Sequence, residues 1–293
     1  MANAPKPTTV KKESSTASNV FATLVIPICI LIGISLFIFV LGRPGNFSIP
    51  DDIAKNNSTV SLAFYNDDTH SFLPHPGNYG GMAYKGGFIV PILMGMLLMV
   101  FVFSIERLIV IGKATGKGSL DSFVKKIQSL LASGNIAAAS AECDKQEGSV
   151  ANVIKSGLKK YSEMEVEANM DTDQKCLAIQ KDIEEATSLE MPMLEQNLTI
   201  IATLVSVGTL MGLLGTVTGM IKAFGGLANS GAPDQAALAT GISEALINTA
   251  TGIGTSTVAI IMYNILTSKI DKLTYAIDEA GFSIIQTYAS THK

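Results

Sequence analysis

Tryptophan is absent from this sequence of 293 residues, and charged side chains are scarce. Asp, Glu, Lys and Arg make up 16% of the residues, whereas soluble domains average roughly 25%. The mean hydropathy is +0.36, which together with the low charge favours a membrane protein. The net charge of −4 is small and no basic cluster with interleaved aromatic residues occurs, so the sequence does not indicate a nucleic-acid partner.

Motifs of enzymes and metal sites are also lacking. The sequence contains no Walker loop, nucleophile elbow, HExxH or GxGxxG fingerprint. Its three cysteines, Cys29, Cys143 and Cys176, form neither a CxxC pair nor a metal-ligand spacing, so we interpret them as reduced structural thiols. His70 and His75 lie in a polar, proline-containing stretch that is more typical of a solvated loop than of a metal pair. We therefore expect no enzyme activity, no cofactor and no metal site.

Four long apolar runs dominate what the sequence does contain. A helix needs about 20 apolar residues to cross roughly 30 Å of hydrocarbon. The runs predict transmembrane helices at residues 20–41, 86–105, 197–224 and 236–266. A signal peptide is an alternative for the first run, but about 22 residues exceed the roughly 7–15 of a signal peptide and no cleavage site follows. We therefore favour a retained helix.

Lysines predict the orientation of the chain. Lys6, Lys11 and Lys12 precede the first run, and four more lysines follow the second between residues 113 and 126. Because cytoplasmic segments carry the excess of Lys and Arg, both termini are expected in the cytoplasm. The remaining segments are then a disordered cytoplasmic tail at 1–19, periplasmic loops at 42–85 and 225–235, a helical cytoplasmic domain at 106–196 and a cytoplasmic C-terminal helix at 267–293. The expected fold class is an all-α membrane protein with four transmembrane helices, whose long helices extend into the cytoplasm.

A proline, a lysine and a long helical pattern near the last two runs lead to three further expectations. Pro192 is expected to interrupt the helix that leads into the membrane, and Lys222 is expected to extend its ammonium group to the lipid headgroups. From Pro233 to about Ala280 the chain has the pattern of a single long helix, of roughly 70 Å at 1.5 Å per residue.

Small and polar residues occur at helical spacing in the last two runs. Glycines four residues apart, which let helix backbones approach closely, are Gly208, Gly212, Gly215 and Gly219. Glu244 is the acidic residue well inside a run, where a charge costs about 2.5–3.5 kcal/mol on insertion scales. Other candidates for lining a polar pathway are Thr209, Asn248, Thr251, Gly252, Thr255 and Ser256.

Three stretches within residues 200–266 carry a resemblance to a known family. They are GLLGTVTG at Gly212–Gly219, GISEALINTATG at Gly241–Gly252, and the Tyr-Asn pair at Tyr263–Asn264. In this order and spacing they resemble the ExbB/TolQ/MotA proton-channel family, and ExbB most of all. The resemblance implies that Thr216, Glu244 and Thr249 line an ion pathway.

The resemblance also implies an assembly and a location. It implies a homopentamer in the bacterial inner membrane, around an ExbD-like single-pass partner that brings a membrane aspartate. Such a complex uses the proton motive force to do work on a TonB-like protein for nutrient import. A TolQ-like role in envelope maintenance and a MotA-like role in motility are alternatives that the partner would separate. The ion is a proton or sodium, and the extra first helix departs from the family's three-helix pattern.

Two further alternatives stay open from the residues alone. Glu244 could be protonated or hydrogen-bonded to a neighbouring helix and serve only to fix packing. The whole chain could likewise be a non-conducting scaffold, because glycine spacing serves helix packing equally well.

The lysine distribution generates a first prediction. A cysteine introduced at Ser61 should be labelled by a membrane-impermeant thiol reagent from the periplasmic side, whereas Ser129→Cys should be protected until the membrane is broken. The measurement is labelling of intact cells against lysed cells. The reverse pattern would contradict the four-helix topology.

Overall fold

The computed structural model describes residues 13–48, 77–229 and 235–292. Within these ranges the secondary structure is helical, without a strand. The α-helices are α1 (Glu13–Leu36), α2 (Tyr79–Tyr84), α3 (Ile89–Thr115), α4 (Leu120–Ala132), α5 (Ile136–Gln146), α6 (Gly148–Val166), α7 (Thr172–Glu195), α8 (Leu198–Asn229) and α9 (Gln235–Thr291). Four segments are long and apolar enough to cross a membrane, and they include α1, α3, α8 and α9. The expected all-α membrane class with four membrane helices is thereby confirmed.

Residues 16–103 and 199–263 form one compact unit, which contains the apolar parts of these helices. In it α1 packs directly against α3 through two glycines. A Cβ atom on Gly33 would lie 2.6 Å from the amide nitrogen of Gly95, and one on Gly95 would lie 2.9 Å from Cα of Ile30. The rings of Phe21 and Phe103 meet edge to face with centroids 6.2 Å apart. The helix that departs from the family pattern is therefore held against α3 by backbone contact as well as by side chains.

The end of α1 is closed by an aromatic and amide cluster. A π-helical turn at Phe37–Leu41 prolongs the helix. Asn46 donates hydrogen bonds from Nδ2 to the carbonyl oxygens of Val40 at 3.0 Å and Leu41 at 2.8 Å, which satisfies carbonyl groups that a helix end leaves open. The ring of Phe37 stacks on Tyr84 with centroids 4.6 Å apart. Both ends of the predicted loop at 42–85 are thus structured, while residues 49–76, including Ser61, lie outside the described residues.

Residues 104–198 and 264–292 build the second unit from α4, α5, α6, α7 and the last part of α9. Gly157 of α6 faces Ile183 of α7, and an added Cβ would lie 2.6 Å from Cγ1 of that side chain. The hydroxyl of Tyr288 donates to the carbonyl oxygen of Met164 at 2.9 Å, so the end of α9 is tied to α6. Buried Arg107 donates to the carbonyl oxygen of Met193 at 2.9 Å and pairs with Glu106.

Several predicted boundaries are corrected. Residues 13–19 belong to α1 rather than to a disordered tail, because they continue a helix that the apolar run stabilises. The loop predicted at 225–235 is shorter, since α8 runs to Asn229 and α9 begins at Gln235. The single long helix expected from Pro233 to about Ala280 is present, but it begins at Gln235 and extends to Thr291.

The helix before the third membrane segment is also not interrupted where expected. Pro192 lies in the last turn of α7, which continues to Glu195. Pro192 has no N–H group with which to bond the carbonyl of Ser188, but the last turn still closes after it, because the N–H of Gln196 donates to the carbonyl of Pro192 at 3.1 Å. The break falls instead at Asn197, whose φ of 64° is left-handed.

Candidate functional site

Glycine residues line the contact between α8 and α9. A Cβ atom on Gly208 would lie 2.7 Å from Oγ of Ser256, and one on Gly212 would lie 3.1 Å from Cα of Gly252. A Cβ on Gly219 would lie 2.8 Å from the carbonyl oxygen of Gly241. Side chains at these positions would push the helices apart. The close approach allows the hydroxyl of Thr209 to donate to Ser256 Oγ at 2.9 Å, across the two helices.

Asn248 fills the space that Gly215 leaves. A Cβ on Gly215 would collide with the Asn248 side chain, which is fully buried. Nδ2 of Asn248 donates to the carbonyl oxygen of Gly86 at 2.9 Å. Within the part of the chain that the structure describes, Oδ1 of Asn248 has no hydrogen-bond partner. A buried carbonyl oxygen without a donor lowers the stability of the fold by about 1–3 kcal/mol. Oδ1 of Asn248 is therefore available to a ligand or a water molecule.

Glu244 lies one helical turn before Asn248 on α9. Its side chain is 10% exposed, and Oε1 lies 2.7 Å from Nζ of Lys222 on α8, whose side chain is 60% exposed. The backbone of Gly87 also lies against this carboxylate, because a Cβ atom added to Gly87 would collide with the same oxygen, Oε1. Gly87 also has a φ of 72°, which glycine adopts at no steric cost. The carboxylate is therefore enclosed between an ammonium group and a backbone turn.

The two threonines of the predicted pathway use their hydroxyls locally. Thr216 donates to the carbonyl oxygen of Leu213 at 2.6 Å, and Thr249 donates to that of Ala245 at 3.2 Å. Such bonds to the preceding turn are common for threonine in membrane helices. Both side chains are half-buried, and each hydroxyl oxygen still has a lone pair with which it can accept a further hydrogen bond.

The predicted site residues therefore fall into separate groups. Glu244 and Asn248 meet at the turn formed by Gly86 and Gly87, and Thr209 meets Ser256. The hydroxyls of Thr251 and Thr255 donate to carbonyls of their own helix, as the two pathway threonines do. No hydrogen bond recorded among the described residues joins Thr216, Glu244 and Thr249 to one another within one chain. A pathway through all three needs water, a second copy of the chain or another protein.

Two parts of this site were missed by the sequence analysis. Lys222 was expected to reach the headgroups, but it pairs with Glu244 instead. The sequence did contain a signal for this pair, because ionisable residues inside membrane runs usually pair with one another, and Lys222 and Glu244 lie in adjacent runs. The contact of Gly86 and Gly87 with α9 had no such signal, since Gly86 and Asn248 are 162 positions apart in sequence.

The cysteines take no part in this site. All three are free thiols, and burial raises the pKa of Cys143 to about 12, so that thiol stays protonated at neutral pH. Among the described residues no group of His, Cys, Asp and Glu is arranged to hold a metal ion. His70 and His75 lie outside the described residues.

Comparison with known proteins identifies similar sequences for part of the chain. The model of the MotA/TolQ/ExbB proton channel family matches residues 145–279. The Tol-Pal system protein TolQ of Pseudomonas aeruginosa is 29% identical over 157 residues, which cover 54% of this chain and 68% of that protein. The biopolymer transport protein ExbB of Salmonella typhimurium is 37% identical over 70 residues, or 24% of this chain and 29% of that protein. ExbB of Pseudomonas putida is 31% identical over 86 residues, or 29% of this chain and 26% of that protein. The match thus spans less than a third of either ExbB protein.

The ion pair between Lys222 and Glu244 can be tested by zero-length crosslinking. A membrane-permeant carbodiimide should activate the carboxyl group of Glu244, and the deprotonated amine of Lys222 should then form an amide with it while the reagent leaves as a urea. Mass spectrometry of the digested protein should show the joined peptides with the mass of one water lost.

Matched controls make this result specific. Lys222→Arg should give no amide, because a guanidinium does not react. The pair of Lys126 and Glu142, whose charged atoms lie 2.6 Å apart outside the membrane runs, serves as the positive control. Formation of that amide without the one at Glu244 would contradict the arrangement described above.

Proposed function

Residues 145–279 form a domain of the MotA/TolQ/ExbB proton channel family, and from that premise we propose that this chain is the channel subunit of an energy transducer in the bacterial inner membrane. Glu244 is the observation that carries the proposal. Its carboxylate lies nine residues into α9, about 14 Å of helix rise from the start, and it is nearly buried beside a cation. A carboxylate placed there at such a cost is a functional group by default.

In the proposed mechanism, Glu244 exchanges a proton that Thr216 and Thr249 relay through water. A proton that moves down the membrane potential releases about 2.3 kcal/mol per 100 mV. The predicted membrane runs of this chain contain no aspartate, so a second acidic group would come from an ExbD-like single-pass partner. The work would be delivered to a TonB-like protein that drives nutrient import across the outer membrane.

A TolQ-like role in the Tol-Pal system is the second candidate. The match to TolQ of Pseudomonas aeruginosa extends over 157 residues, about twice the length of the two ExbB matches. The ExbB-like motif in α8 and α9 favours the first candidate, and the length of the TolQ match favours the second. Rescue of a strain that lacks ExbB, compared with one that lacks TolQ, distinguishes the two.

The ion role of Glu244 generates the main prediction. Glu244→Gln keeps the size of the side chain but cannot release a proton, so it should abolish partner-dependent growth under nutrient limitation while the oligomer persists. Thr216→Val and Thr249→Val should lower the same activity less severely, because valine keeps the shape and removes the hydroxyl. The measurements are growth and size-exclusion chromatography of each variant.

Thr257→Val is the matched control for the threonine variants. The hydroxyl of Thr257 donates to the carbonyl of Ile253, four residues before it, at 2.8 Å, as Thr249 does to Ala245. Thr257 lies outside the pathway motif, so activity should be unchanged. Full activity of Glu244→Gln would refute the ion role. Proton conductance that is absent both with and without the partner would favour a non-conducting scaffold.

The exposed faces of α8 and α9 generate a prediction about assembly. In the single chain Leu213 of α8 and Leu246 of α9 are 57% and 64% exposed, and Thr209 is exposed on α8 although its hydroxyl donates to Ser256. The family resemblance implies that such faces lie against further copies of the chain and against a partner helix. We expect a homopentamer by native mass spectrometry in mild detergent. A dominant monomer would contradict this assembly.

A further inference from the structure

We propose that Lys222 determines which cation Glu244 accepts, because its ammonium group occupies the place that a sodium ion would need. This inference rests on the proposed function, since it concerns the ion carried by the same carboxylate. Lys222 is a positioning residue in this account: it acts through Glu244 and leaves the carboxylate open to a proton but closed to a metal cation.

The oxygen atoms around Glu244 would otherwise suit sodium. Two carboxylate oxygens, the unpartnered Oδ1 of Asn248 and the carbonyl of Gly86 lie within one turn of α9 and the backbone turn that it contacts. Carboxylates, amide oxygens and irregular backbone carbonyls near a helix are the groups that bind sodium in membrane proteins. The carbonyl of Gly86 accepts one hydrogen bond from Asn248 and keeps a second lone pair.

The ammonium of Lys222 removes this possibility. Nζ lies 2.7 Å from Oε1 of Glu244, so the ammonium occupies a coordination position on that oxygen that a metal cation would need. A sodium ion there would have to displace the ammonium or stand beside a like charge, and either alternative is unfavourable at a carboxylate that is only 10% exposed.

A proton is not excluded in the same way. Lys222 is the one donor that the structure records for this carboxylate among the described residues, and it contacts Oε1. A proton needs a single lone pair, which Oε2 provides, whereas sodium needs several oxygens at once.

The test measures sodium binding by the purified chain without any partner. Radioactive sodium and the midpoint of thermal unfolding are followed in sodium chloride and in choline chloride of equal ionic strength. Wild type and Lys222→Arg should bind no sodium and unfold at the same temperature in both salts. Lys222→Met should bind about one sodium ion per chain and unfold at a higher temperature in sodium, because a ligand that binds only the folded state stabilises it.

Three further variants show whether the bound sodium depends on Glu244 and on the charge of Lys222. Sodium binding by Lys222→Met should disappear when Glu244→Gln is added, which assigns the ion to this carboxylate. Lys222→Gln, which retains a hydrogen-bond donor, replaces Lys222→Met if the latter unfolds in choline, and recovery of either variant in sodium supports the proposal. Lys113→Met removes an exposed lysine elsewhere and should behave as wild type.

Three results would overturn the proposal. The first is sodium binding by wild type that depends on Glu244. The second is a folded Lys222→Met or Lys222→Gln variant that binds no sodium. The third is failure of both variants to fold in either salt, because sodium is expected to take the place of the ammonium. Ion flux is not part of this measurement. Full activity of Glu244→Gln would therefore refute the proposed function, whereas the role of Lys222 in excluding sodium would be decided by the binding measurement alone.

Discussion

The backbone contact between α8 and α9 is the constraint on which the polar site depends. Each glycine in a helix interior costs about 1 kcal/mol relative to alanine, and α8 carries four of them on the predicted face. Helices that touch through Gly208, Gly212 and Gly252 bring the next residues within hydrogen-bond distance. Without that approach, Lys222 of α8 could not reach Glu244 of α9, and Asn248 would not lie against Gly215.

A second constraint comes from outside the region that matches the family. Gly86 and Gly87 precede residue 145, where the family match begins, yet their backbone contacts Asn248 and Glu244. The turn between α2 and α3 is therefore part of the site. Its immediate neighbours, Tyr84 and Val90, belong to the apolar cluster that also holds Phe37 at the end of α1, so the N-terminal helix supports the turn that encloses the carboxylate.

The sequence analysis succeeded where the signal was local. The four membrane runs follow from hydropathy, and the glycine spacing on α8 follows from the period of one helix. Glu244 was recognisable because a carboxylate in an apolar run is conspicuous. The partner of Glu244 was not recognised, because Lys222 lies close enough to a helix end to suggest snorkelling. The contact with Gly86 and Gly87 joins distant parts of the chain, and periodicity carries no information about it. Helix ends were misplaced where a helix continues beyond its apolar run, as at residues 13–19 and 225–229.

The ion pair also has a consequence for how the protein is made. Lys222 and Glu244 are 22 residues apart. Each charge makes insertion of its own helix into the bilayer less favourable, and for a charge at the centre of the bilayer the cost is about 2.5–3.5 kcal/mol. If the two side chains form their ion pair before the helices enter the bilayer, neither charge is exposed to lipid alone. We therefore expect the translocon to release α8 and α9 together as a hairpin.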